Sequence, residues 1–206
     1  MKTKKLKINI PSSMNEISLG RYQEFVTQTD REDLTEQDIA IAMLDIFLDI
    51  KSTKSLEMTF KSMTEIGNKL AEVLSEKPTL IQKFKMGDTE FGFIPKLDEM
   101  TFGEYIDLDT YISDWSQMHK AMAVLFRPIA LRKGMKYTLT DYEGDLYHEA
   151  MKNMPLSVAM GSLVFFYRLE RELQNSMIPF LEEEAKEIQT ALQQSGVGIN
   201  QSINLR

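Results

Sequence analysis

The sequence predicts a mainly α protein with a small β component (α+β): two pseudo-repeated helical units around a short β-hairpin, plus a long C-terminal helix. Three observations predict it. A thirteen-residue pattern occurs twice, as Met14-Asn-Glu-Ile-Ser-Leu-Gly-Arg-Tyr-Gln-Glu-Phe-Val26 and as Leu97-Asp-Glu-Met-Thr-Phe-Gly-Glu-Tyr-Ile-Asp-Leu-Asp109, each after an Ile-Pro pair (Ile10-Pro11, Ile94-Pro95). Between the copies, two apolar stretches flank Gly87-Asp88, the kind of short glycine-containing link that joins hairpin strands. From Pro155 to Gln193 the pattern is helical, apolar in its first half and charged in its second.

Lys5 to Ile10 alternates with period two and stops at Pro11, which has no amide proton to continue a ladder, so a short strand is expected there. In both copies of the repeat a hydroxyl residue, Ser18 or Thr101, stands where an N-cap accepts a backbone N–H of the first helical turn. Three residues on, copy one has Arg21 and copy two has Glu104, so only Thr101 can complete a capping box. Gly20 and Gly103 fall in that first turn, where a missing side chain lets another backbone approach. Tyr22 and Tyr105, with Phe25 and Leu108 beyond them, are expected on the buried face. The duplication continues, because Ala42-Met-Leu-Asp-Ile-Phe-Leu-Asp-Ile50 aligns with Ala121-Met-Ala-Val-Leu-Phe-Arg-Pro-Ile129 through matching Ala, Met, Phe and Ile. Each unit therefore has a second helix. The first follows Leu34-Thr35-Glu36-Gln37-Asp38 and carries Ile39, Met43, Ile46, Phe47 and Ile50. The second follows Ser113-Asp114, carries Trp115, Met118, Met122 and Leu125, and is expected to end at Pro128. Residues 14–50 and 97–129 are predicted to be two similar helical units.

Ser62 to Glu76 has a helical rhythm in Met63, Ile66, Leu70, Val73 and Leu74 and stops before Pro78. Thr79 to Met86 and Thr89 to Ile94 form the expected hairpin, with Tyr137 to Thr140 as a further small strand. Tyr142-Glu143-Gly144 reads as a turn into a helix running to about Asn153. Pro179 removes a helical hydrogen bond, so a kink or break near Ile178 is expected. The chain is thus read as one compact domain, 1–195, with units of about 5–76 and 79–153, a long helical segment 155–193 and a flexible tail 196–206.

A formal charge of -7 and a pI near 5.0 disfavour a nucleic-acid surface, which draws its affinity from clustered Lys and Arg. The basic cluster Lys2, Lys4, Lys5 and Lys7 alternates with Leu6, Ile8 and Ile10 and reads as the solvent side of an amphipathic strand. Without cysteine there is no disulfide, thiol chemistry or thiolate metal site. The apolar run Met154 to Tyr167 is shorter than the ~20 residues a bilayer span needs, so no membrane role is expected.

No catalytic, cofactor or metal residues are nominated, and the chain is read as a non-enzyme. His119 and His148 lack a second ligand at metal spacing; Trp115 and Met122 beside His119 make packing in a helix interface its plain account. The acidic stretch Asp98-Glu99, Glu104, Asp107, Asp109 and Asp114 lacks the sharp turn and alternating ligands of a hard-cation loop. Asp107 and Asp109 point in different directions on a helix, with no nucleophile nearby. The fourteen methionines sit mostly on helical stripes and read as core filling rather than a client groove. Candidate partner-binding residues are Glu182, Glu183 and Glu184 on the charged helix half, able to meet a basic partner, and Ile199, Ile203 and Leu205 in the tail.

The stretch Phe84-Lys-Met-Gly-Asp-Thr-Glu-Phe-Gly-Phe-Ile-Pro-Lys-Leu-Asp-Glu-Met-Thr-Phe-Gly-Glu-Tyr-Ile-Asp-Leu-Asp109, with Trp115, His119-Lys-Ala-Met122 and Leu125-Phe-Arg-Pro-Ile129, resembles a family of tailed bacteriophages. Met154-Pro-Leu-Ser-Val-Ala-Met-Gly161 and Phe165-Phe166-Tyr167 carry the same resemblance. Proteins of this family are described as tail assembly chaperone-like or as virion proteins. The resemblance implies a virion morphogenesis protein that binds the tape measure or tail tube proteins in the host cytoplasm during assembly. The rival it implies is a structural ring or connector protein of the phage neck or tail, present in the virion, whose partners are neighbouring ring subunits in a homo-oligomer.

Overall fold

The computed structural model describes residues 8–51, 57–134 and 136–194, and it is 59% helical with a four-stranded antiparallel sheet holding 14% of the chain. The mainly α class with a small β component is therefore the observed one. The chain divides into two compact units, Met1–Val164 and Phe165–Arg206.

The first unit opens with a 3-10 turn, Met14–Glu16, and helix α1, Leu19–Thr29, which starts because the Ser18 hydroxyl accepts the Arg21 N–H. Helix α2, Glu36–Leu48, begins with a complete capping box between Thr35 and Asp38. Helix α3, Phe60–Leu74, is capped by Thr59 and turns Ile66, Leu70 and Val73 inward. Strands β1, Lys83–Met86, and β2, Thr89–Phe93, form the expected hairpin across Gly87, whose φ of 59° is the left-handed conformation a tight turn requires. A second 3-10 turn, Leu97–Glu99, and helix α4, Phe102–Ile112, follow; here the Thr101 and Glu104 capping box is complete, as the sequence requires. Helix α5, Met118–Leu125, runs directly into strand β3, Phe126–Lys133, which pairs with β4, Lys136–Leu139. Short helix α6, His148–Met151, precedes helix α7, Leu156–Gln194.

The sheet is a meander in the order β1-β2-β3-β4. Its core is aromatic: Phe126, fully buried, packs edge-on against Phe84 at 5.4 Å and Phe93 at 5.3 Å, and Phe84 stacks on Phe91 at 5.5 Å. The helical layer buries Leu19, Leu44, Leu70, Met122, Leu125, Met154 and Leu156. Burial on this scale removes the apolar stripes of α1, α2, α3 and α5 from water, the main force holding them together.

Three sequence expectations need correction. The second helix of copy two ends at Leu125 rather than at Pro128, and Phe126–Ile129 belong to a strand registered on β2, with Phe93 opposite Phe126 and Phe91 opposite Pro128. The aromatic cluster overrides the local helical rhythm by drawing Phe126 across the hairpin. Helix α7 runs past Pro179 without a break, since one proline costs a single hydrogen bond within a long run of good helix formers. The opening strand is not seen in Ile8 to Ile10, which join no sheet; the rest of that segment lies outside the described residues.

Candidate functional site

The duplicated motif is where sequence and structure meet most closely. Its 3-10 turns, Met14–Glu16 and Leu97–Glu99, and its eleven-residue helices, Leu19–Thr29 and Phe102–Ile112, fall at the same places in the two copies. In each, the residue at the third helical position reaches the end of the unit's second helix or the residues just after it. Arg21 bonds the Phe47 carbonyl at 3.2 Å and pairs with Asp49 at 2.9 Å; Glu104 pairs with Arg127 at 2.8 Å. The Glu104–Arg127 pair is nearly buried, at 4% and 14% side-chain exposure, whereas Arg21 and Asp49 face water.

Copy one is a filled seat. The Leu19 N–H donates to the Met154 carbonyl at 2.9 Å, the Gly20 N–H donates to the Lys152 carbonyl at 2.8 Å, and the Leu156 N–H donates to the Ile17 carbonyl at 2.8 Å. Ser18 and Pro155 thereby form an antiparallel bridge. The segment Lys152–Leu156 lies across the start of α1, and a Cβ on Gly20 would stand 3.1 Å from the Lys152 carbonyl oxygen, which is why glycine occupies this position. Ser157 adds a hydroxyl bond to the Asn15 side chain. Next along the face, Tyr22 meets Trp115 edge-on at 5.0 Å, and the buried Gln23 amide donates to the Trp115 carbonyl at 2.6 Å and lies 3.0 Å from His119 Nδ1.

The Gln23 contacts fix the protonation of His119. A carbonyl can only accept, so the Gln23 nitrogen faces Trp115 and also offers a proton to Nδ1; the neutral ring then carries its own proton on Nε2, 3.8 Å from Glu149 Oε1. Burial, and then the nearby Lys152, hold the His119 pKa below its ordinary value. His148, edge-on to Tyr111 at 5.7 Å, is lowered by burial in the same way. Both histidines sit in packing interfaces. Tyr142 donates to Asp107 at 2.8 Å, and burial together with that carboxylate raises its pKa strongly.

Copy two presents the same face uncovered. Phe102 is 77% exposed, Tyr105 57% and Ile106 47%, and a Cβ on Gly103 would meet nothing within 4 Å. The expectation that Tyr105 is buried like Tyr22 is thus wrong. The α4 helix turns Glu104 and Leu108 inward, toward α5 and β3, and among the described residues no other segment lies over its first turn. The signal was present in the sequence. Phe102, Tyr105 and Ile106 make one apolar stripe, Leu108, Tyr111 and Ile112 make another, and a helix packed on one side covers only one of them.

Beside this face, an open groove of about 620 Å³ runs past Ile94, Met100, Glu104, Arg127, Tyr137 and Thr140. On its floor Arg127 Nε and Thr140 Oγ1 are buried without a hydrogen-bond partner, and Tyr137 donates to the Phe93 carbonyl at 2.6 Å. Among the described residues no group of three or more His, Asp or Glu side chains could hold a metal ion. The groups with a fixed geometry here hold helices and strands to one another.

Of the residues nominated from sequence, Glu182, Glu183 and Glu184 lie on α7 within the Phe165–Arg206 unit, and the Glu183 side chain is exposed. Ile199, Ile203 and Leu205 lie outside the described residues. No helix among the described residues is long and apolar enough to cross a membrane. Compared with protein-family models, with curated proteins and with solved structures, the chain matches none.

Proposed function

We propose that this chain is a binding protein of tailed-phage assembly, tail assembly chaperone-like, that holds a tape measure or tail tube protein and transforms no substrate. The observation that supports binding is the α4 face, where Phe102, Tyr105 and Ile106 stand 77%, 57% and 47% exposed on a helix that buries only Glu104 and Leu108. The phage assignment rests on the resemblance carried by Phe84–Asp109 and by Met154–Gly161. A net charge of -7 suits a protein that must stay dispersed beside an aggregation-prone client.

Mass spectrometry of purified mature particles, paired with affinity capture from infected cells, tests this reading. The chaperone is expected to be absent from particles and to capture the tape measure or tail tube protein. Presence in particles at a copy number set by ring symmetry overturns it in favour of a neck or tail connector.

A further inference from the structure

We propose that the exposed start of α4 is a seat for a segment of another protein that turns into a helix, with the pattern apolar-Pro-apolar followed by a basic residue, docked as Lys152–Leu156 docks on α1. The inference takes from the function above only that the chain binds protein; it needs no phage partner.

The first support is the filled copy. Where Lys152–Leu156 lies on α1, its carbonyls take the first two helical N–H groups and its Leu156 N–H meets the Ile17 carbonyl. Copy two repeats the turn, the cap and the helix start, with Gly103 standing where Gly20 stands. The Phe102 and Gly103 N–H groups and the Met100 carbonyl occupy the same three places. A segment turning there finds the backbone bonds that copy one makes and covers the helix start at Phe102 and Gly103, next to Tyr105 and Ile106.

The second support is charge. Asn15, a neutral residue of the filled seat, is replaced in copy two by the exposed Asp98. Asn15 bonds Ser157, two residues after Pro155 in the docked segment. With Asp98 in its place, the matching residue of the occupant is best a lysine or arginine. The chain's own Lys152–Leu156 is bound to α1, and none of the chain's six prolines stands in the pattern apolar-Pro-apolar-basic, so the occupant comes from a different protein.

The probe is a capped synthetic peptide spanning residues 150–160 with Ser157→Lys, titrated into the full-length isotope-labelled protein and followed by backbone amide shifts. Saturable shifts are expected at Phe102 and Gly103, weakened several-fold by raised salt and by restoring Ser157, since screening acts on exposed charge pairs. Gly103→Leu is expected to weaken binding at least about tenfold, roughly 1.4 kcal/mol, while leaving the melting temperature unchanged or higher, because the added side chain meets only the docked peptide. Phe102→Ala serves as the second block, with its fold checked in the same way. No saturation up to about 1 mM peptide, the weak end of useful affinity, overturns the proposal. So does binding indifferent to both variants, or self-association of the unaltered protein that Gly103→Leu abolishes, which gives the face to a second copy. The titration uses purified protein and is blind to particle composition, so it and the virion analysis fail independently.

Discussion

In the first copy of the repeat, Leu19, Tyr22 and Gln23 are shut in by Lys152–Leu156, Trp115 and His119; in the second, Phe102, Tyr105 and Ile106 occupy the same helical positions and face outward. The turn, the hydroxyl cap and the helix length are common to both. Local sequence thus sets how the helix starts, and what later passes over it sets which side is buried. A repeat of thirteen residues encodes an attachment point, and its use depends on a partner elsewhere in the chain or outside it.

The largest contrast is expected at the first helical residue. Leu19→Ala removes a side chain with no exposure and is expected to lower unfolding stability by about 3.5 kcal/mol, whereas Phe102→Ala should stay within about 0.5 kcal/mol. Equal losses in chemical denaturation would end the claim that only one face is covered. Next are the two ion pairs. Glu104→Ala strands Arg127 in a nearly closed site and is expected to cost about 3 kcal/mol. Arg21→Ala breaks an exposed pair and should cost about 1 kcal/mol or less.

The glycines come third. Gly20→Leu must push against the Lys152 carbonyl and is expected to lose about 2 kcal/mol, while Gly103→Leu has open space and a better helix former, and should hold or gain about 0.5 kcal/mol. The caps then probe what the copies share: Ser18→Ala and Thr101→Ala should each cost about 1 kcal/mol, and a gap of more than twofold between them would show the starts to be less alike than their bonds suggest.

The smallest effect is in pH. His119 has a folded pKa below its ordinary 6.5, chiefly through burial, so the unfolded chain takes up its proton first. That contribution is whole above pH 6.5 and is lost as the pH falls through the folded value. His119→Gln, which keeps a polar side chain beside Gln23, is expected to flatten the fall in melting temperature over roughly pH 6.5 to 5, with His148 supplying the remainder. An unchanged profile would remove His119 from the account.

Much of the fold could be read in the residues because it is written locally. Ser18, Thr35, Thr59 and Thr101 all cap the helices they precede, and Gly87 turns the hairpin. Strand β3 was hidden because Phe126 obeys distant rings rather than its helical neighbours, and Pro128 resembles a helix stop while lying within a ladder. The fate of Tyr105 was hidden for the opposite reason: its local pattern equals that of Tyr22, and the difference lies in Trp115, distant in sequence from Tyr22, which packs on that ring and not on Tyr105.

The opposed polarity of the two ion pairs has a consequence for a chain with duplicated halves, which runs the risk of assembling crosswise. If α1 took the second helix of the other half, Arg21 would come to rest by Arg127; in return Glu104 would meet Asp49. Both exchanges set like charges together, one of them in a site closed to water, so the reversed signs act as a key that admits each helix only to its own mate.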